Sequence, residues 1–217
     1  STEEGKKINE NYNIKGFPTF LFLDDKENIF HKIAGFYETK DFLEHIKKAL
    51  DYRNTLSYYK EEYKNGNRDP EFLYKYCYKL HEAFELKPKY INEYLNTQNY
   101  LALHDTNNLK FLFDFAYYNH KNMIPYKSDA YSFIVNYWPE MNFIAGAEQS
   151  KARLVFMLNR FIDTAIVHRN HEMLEHNYRI LLEYSRKEPP YFFEIDGRPT
   201  GVIMTKYLAW KRKLEFY

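Results

Sequence analysis

The sequence predicts an α+β fold that is predominantly helical: a small ββα element followed by an irregular antiparallel multi-helix domain. Three observations carry this reading. Extended, strand-like apolar runs occur only near the start, around Phe20 and around Ile29. Beyond Leu50, apolar residues recur at helical spacing, and Gly66, Gly146, Gly197 and Gly201 are the only glycines left. The breaks between these stretches are short and rich in Pro, Asn, Asp and Gly. Residues 1–51 and 52–217 are therefore read as the two parts of the chain.

Ile8, Tyr12 and Ile14 mark the end of a helix that leads into Gly16-Phe17-Pro18-Thr19 and the apolar run Phe20-Leu21-Phe22-Leu23-Asp24. A proline cannot donate to a strand ladder, so it belongs at the first residue of a strand or on an edge. The aromatic residue before it favours an extended unit and a cis bond, and Phe17–Pro18 is expected to be cis. Asp24-Asp25-Lys26-Glu27-Asn28 reads as a turn, and Ile29-Phe30-His31-Lys32-Ile33 as the returning strand. After Ala34-Gly35-Phe36, Thr39 is placed to cap a helix with Phe42, Leu43, Ile46, Ala49 and Leu50 on one face.

The helical part follows the same logic. Leu56, Tyr59 and Tyr63 define a helix closed by Asn65-Gly66-Asn67. Asp69-Pro70-Glu71 restarts the chain with a capping acid and a proline at the first helical position, ahead of Leu73, Tyr76, Cys77, Leu80 and Phe84. Lys87-Pro88 introduces Ile91, Tyr94 and Leu95; Asn107-Asn108 introduces Phe111, Leu112, Phe115 and Ala116. Ser128-Asp129 opens a helix that stops before Pro139. Longer helices are predicted from about Ala147 to Ile166 and from Glu172 to Tyr184, and a last one from Gly201 to Leu214. No fixed repeat period emerges, so a solenoid is not indicated.

Composition narrows the function. The 217 residues carry 31 Lys and Arg against 30 acids, a net charge of +1, which lacks the basic excess a nucleic-acid binder needs. No run approaches the length of a membrane span, and the first residues contain no apolar signal core. One cysteine excludes an internal disulfide framework and a cysteine-rich metal site. Cys77 falls one turn from both Leu73 and Leu80, a core-facing position where a thiol acts as a small hydrophobe. His81 lies at i+4, but the sequence supplies no third group to orient such a pair.

The densest set of potential ligands runs from His168 to His176. Were it one helix, His168, His171, Glu172 and Glu175 would share a face. A polar connection between two helices is the favoured reading, and no metal or other cofactor is expected. The acidic pairs Glu61-Glu62 and Asp24-Asp25 have no apolar frame to raise a carboxyl pKa, so no catalytic residue is assigned. Phosphate-binding glycine loops and nucleophile elbows are absent. Lys206, Lys211, Arg212 and Lys213 suit a helix C-terminus better than a nucleic-acid patch. The aromatic content, 19% with 22 Tyr, suits wedging between helices or a sugar- or peptide-binding face.

The order of helix, proline-led strand, hairpin, Gly35 and helix resembles the second half of a thioredoxin fold. With the helical stretch from Tyr63 to Leu73, the chain is similar to bacterial thioredoxin-family proteins that carry a helical extension. In that family the cis-proline sits beside the redox cysteine pair, and its backbone docks the substrate chain. The resemblance implies a binding role for Phe17, Pro18 and Thr19. It also implies a cysteine pair in a segment upstream of Ser1, and it points to the periplasm while leaving the cytoplasm open. Cys77 alone cannot complete a two-thiol cycle, so the chain is not expected to reduce insulin disulfides. Two readings result. As it stands, the chain is a non-catalytic binding or scaffold module for a protein or peptide. Alternatively, it is a portion of a thiol-disulfide oxidoreductase. The apolar edge from Pro18 to Leu23 needs cover, either from helices beyond Leu56 or from a second copy in a homodimer.

Overall fold

A computed structural model describes residues 2–118, 121–122, 124–187, 194–195 and 198–199. The fold is α+β and predominantly helical. Backbone packing divides the chain into two compact units, Ser1–Thr97 and Gln98–Tyr217. The first unit thus takes in the hairpin and three of the helices that the sequence division at residue 51 separates from it.

In the first unit, α1 (Glu3–Asn11) is capped by Thr2, whose hydroxyl accepts from the Gly5 N–H. Ile14 lies beyond its end, because the chain turns at Asn13 with φ 47. Strands β1 (Thr19–Leu23) and β2 (Ile29–Ala34) pair antiparallel, with Thr19 opposite Ala34, Phe20 opposite Ile33, Leu21 opposite Lys32 and Phe22 opposite His31. Their turn is held by the Asp24 carboxylate, which accepts from the backbone N–H of Lys26 and from both nitrogens of Asn28. Those bonds, the Asn28 side chain first, keep the Asp24 carboxyl below its usual pKa. Helix α2 (Thr39–Ala49) begins one residue earlier than a Thr39 cap would place it. Extended Glu38 is the cap, without a side-chain bond, and Thr39 is the first helical residue.

Successive strand residues point to opposite faces, and each face of the hairpin finds cover. On one face the Phe20 ring packs 4.6 Å from Phe42 of α2, and Phe22 lies 5.2 Å from the His31 ring. On the other, buried Lys32 donates to the Asn13 carbonyl and reaches Glu85. Helix α3 (Leu56–Lys64) is pinned to β2 twice. The His31 Nδ1 accepts from the Leu56 N–H at 3.2 Å, and the Ser57 hydroxyl donates to the Ile29 carbonyl at 3.0 Å. These bonds hold α3 to β2 and do not supply cover for the Pro18 to Leu23 edge of β1.

Helices α4 (Pro70–Glu82) and α5 (Pro88–Leu95) complete this unit. Asp69 caps α4 by accepting from the N–H groups of Glu71 and Phe72, with Pro70 at the first helical position. Phe84 lies past the helix end with φ 55, so it is not a residue of α4. Leu56, Tyr59, Tyr76, Leu80 and Ala83 form a core on which Phe72 and Tyr90 pack, and Tyr59 stacks on Phe72 at 5.5 Å. The high tyrosine content thus serves helix packing here.

The second unit is built on α6 (Thr106–Phe115), α7 (Asp129–Tyr137), the short α8 (Asn142–Ala145), α9 (Ala147–Val167) and α10 (His171–Lys187). Two-residue strand pairs, Tyr117–Tyr118 with Lys121–Asn122 and Glu194–Ile195 with Arg198–Pro199, are too short to leave a periodic signal in sequence. Phe111, Phe115, Phe133, Leu154, Leu158 and Phe161 are buried in its core. Buried Tyr131 donates to Asn177 Oδ1 at 2.8 Å, and Asn177 donates to the Met173 carbonyl. The helix predicted from Gly201 to Leu214, with its basic residues, lies outside the described residues. No helix among the described residues is long and apolar enough to cross a membrane.

Candidate functional site

The base of the hairpin, where Gly16, Phe17, Pro18 and Thr19 meet Gly35 and Phe36, is the candidate site. Two features fix its backbone. A Cβ built on Gly16 would stand 3.0 Å from the Phe84 ring, so a larger residue there would press on that side chain. Gly35 adopts φ 116, a conformation side-chain-bearing residues rarely take. The Phe17–Pro18 bond is cis, as the sequence leads one to expect. Thr19 Oγ1 donates to the Gly16 carbonyl at 2.7 Å, and the Gly35 N–H donates to the Pro18 carbonyl at 2.9 Å. Pro18 lacks an N–H, so this single bond closes the ladder at its end.

That closing bond also sets the alternation along β1. Antiparallel pairs alternate between hydrogen-bonded and non-bonded. With Pro18 bonded to Gly35, Phe20 and Phe22 direct their backbone groups toward β2, while Thr19 and Leu21 direct theirs outward. The outward side has no strand partner among the described residues. Gly16 to Leu23 carries no charged side chain. One residue outside the closing bond on either strand, Phe17 is 76% exposed and Phe36 is 82% exposed. Two aromatic rings left in water beside an open strand edge form an apolar surface of the kind that marks interaction sites.

The chain matches no protein-family model, no curated protein and no solved structure. The assignment of this site rests on its own geometry.

Other sequence candidates fall elsewhere. Cys77 is fully buried on α4, and burial pushes its thiol pKa far up, so the reactive thiolate is withheld. The stretch from His168 to His176 is not one helix. His168 ends α9, Arg169 turns at φ 51, and Asn170 caps α10 by accepting from the Met173 N–H. His168 is thereby removed from the face shared by His171, Glu172 and Glu175. Among the described residues, no group of three or more His, Cys, Asp and Glu is arranged to hold a metal ion. Glu61 and Glu62 are engaged by Tyr52 and Asn67, and Asp24 by its own turn.

Sequence reasoning missed Phe36, which is exposed at the same end of the hairpin as Phe17. The signal was available: in a hairpin that pairs Thr19 with Ala34, Phe17 and Phe36 fall at matching positions. It also missed a charge cluster beneath the hairpin. Lys32, only 2% exposed, lies 3.4 Å from Glu85 Oε1, while Lys60 holds Oε2 at 2.6 Å. Burial raises the Glu85 pKa, but Lys60 and Lys32 outweigh it and leave the carboxyl below its usual range.

Proposed function

We propose that the chain is a non-catalytic binding module whose first unit takes an extended segment of a protein or peptide along the outer edge of β1. The supporting observation is the uncharged edge itself, its outward backbone groups at Thr19 and Leu21 lying beside exposed Phe17 and Phe36. Such an edge selects an extended chain, because main-chain hydrogen bonds supply affinity and alternate side chains supply specificity. Phe17 and Phe36 offer apolar contact at one end, so apolar residues at alternate positions of the ligand fit best. The element order, with Pro18 leading β1 and Gly35 ending the hairpin, supports the thioredoxin-like reading of this unit as part of the proposal. The oxidoreductase reading gains nothing from Cys77, whose thiol is buried and protonated. Neither nucleic acid nor a cofactor enters the proposal.

The test is selection of displayed decapeptides against the purified chain. Enriched sequences are expected to alternate apolar and polar residues, and Phe17→Asp is expected to weaken the best peptide at least tenfold while the circular dichroism spectrum is unchanged. Failure to enrich any peptide, or equal binding by Phe17→Asp, would overturn the proposal. So would a micromolar dimer in sedimentation that Phe17→Asp dissolves, since the edge would then belong to a second copy.

A further inference from the structure

The imidazole of β2 can accept the Leu56 N–H of α3 only while it is neutral, and the other link between the two, the Ser57 hydroxyl on the Ile29 carbonyl, does not titrate. Leu56 is the first residue of α3, and its N–H has no partner within the helix. Thr55 spends its side chain on the Tyr58 N–H, so the Leu56 N–H is satisfied by His31 Nδ1 alone. An Nδ1 that accepts leaves the ring proton on Nε2, and Nε2 is buried with no hydrogen-bond partner. His31 as a whole is 1% exposed. A second proton has only Nδ1 to occupy, where it would meet the Leu56 N–H as donor against donor.

The groups around the ring oppose a positive charge from each side. Helix α3 presents its N-terminus, the positive end of its dipole. Lys79 of α4 and His45 of α2 bear on the ring and disfavour its charged form, and β1 contributes the apolar Phe22 ring at 5.2 Å. Glu82, which bears on His45, pairs with Lys79 at 3.3 Å.

We propose that His31 is a pH-operated latch, whose protonation releases the Leu56 N–H of α3 from β2 and loosens the first unit reversibly in acid. The latch does not depend on what the β1 edge binds. The direction follows from linkage. Burial first, then Lys79 and His45, lower the pKa of attached His31 to about 4, whereas a released imidazole titrates near its ordinary 6.5. The released state takes up the proton first, so attachment is complete above about pH 6.5 and weakens as pH falls toward 4. At pH 5 the balance shifts toward release by roughly tenfold to thirtyfold.

Amide hydrogen exchange on the full chain tests this, read as protection factors so that the intrinsic pH dependence cancels. Between pH 7 and pH 5, protection at Leu56 is expected to fall at least tenfold while Leu158 in α9 keeps its value, and return to pH 7 restores it. In His31→Gln, whose amide oxygen accepts but does not titrate, protection at Leu56 is expected to be independent of pH over this range. The same pH dependence in wild type and His31→Gln would overturn the latch. Where His31→Gln fails to fold, the imidazole nitrogen spectrum of wild type decides. A proton on Nε2 with a midpoint below pH 5 supports the latch; a proton on Nδ1, or a midpoint near 6.5, contradicts it.

Discussion

Glu85→Ala is expected to destabilise the first unit by about 3 kcal/mol, whereas Lys32→Met is expected to change its stability by less than about 1 kcal/mol. The asymmetry follows from burial. Lys32 is 2% exposed, and its ammonium meets the Asn13 carbonyl and the Glu85 carboxylate. Removing Glu85 leaves a buried charge with one neutral acceptor, and also frees Lys60. Replacing Lys32 by a methionine of similar length removes the charge together with its desolvation cost, and Glu85 keeps Lys60. The pH dependence has a definite sign. The Glu85 carboxyl is held below its usual pKa, so its contribution is complete above about pH 4.5 and is lost as pH falls further. Urea denaturation of the two variants at pH 7 measures the difference. Equal destabilisation by both would show that this cluster acts through packing rather than charge.

Phe111→Ala is expected to cost about 3–5 kcal/mol in the second unit. The Phe111 ring is fully buried on α6 and meets Phe115 edge-on at 4.8 Å. Truncation forfeits the transfer energy of the ring and leaves a void that neighbours in a packed core fill only partly. Phe111→Leu retains most of the volume and is expected to cost less than half as much. Thermal unfolding followed by near-ultraviolet circular dichroism reads both. A loss below about 1 kcal/mol for Phe111→Ala would mean that the core collapses around the site.

Most of the helices were legible because their boundaries are written in local chemistry. Asp69-Pro70 and Ser128 each place a side-chain oxygen on the first turn of a helix, and Asn65-Gly66 ends one with glycine at φ 94. The hairpin was legible for the same reason, from Pro18, the Asp24 turn and Gly35. What local patterning does not carry is pairing at a distance. Lys32 stands in a strand as an ordinary charged residue, and its partner Glu85 is remote in sequence. His31 likewise gives no hint that Leu56 depends on it. The stretch from His168 to His176 was ambiguous because a turn of one positive-φ residue, Arg169, leaves no glycine to announce it. Of the candidate site, Phe17, Pro18 and Thr19 were visible from the start. Phe36 was hidden because its importance depends on hairpin register.

The proposal that the edge of β1 is a binding surface has a direct reading in two backbone amides. Thr19 and Leu21 turn their N–H groups away from β2, whereas Phe20 and Phe22 turn theirs toward it. Residue-resolved amide exchange, measured with and without a selected peptide at saturation, distinguishes strand addition from any other mode of contact. Strand addition predicts that Thr19 and Leu21 gain at least tenfold protection while Phe20 and Phe22, already bonded, change little. Saturating peptide that leaves Thr19 and Leu21 exchanging as fast as in the free chain would contradict the account.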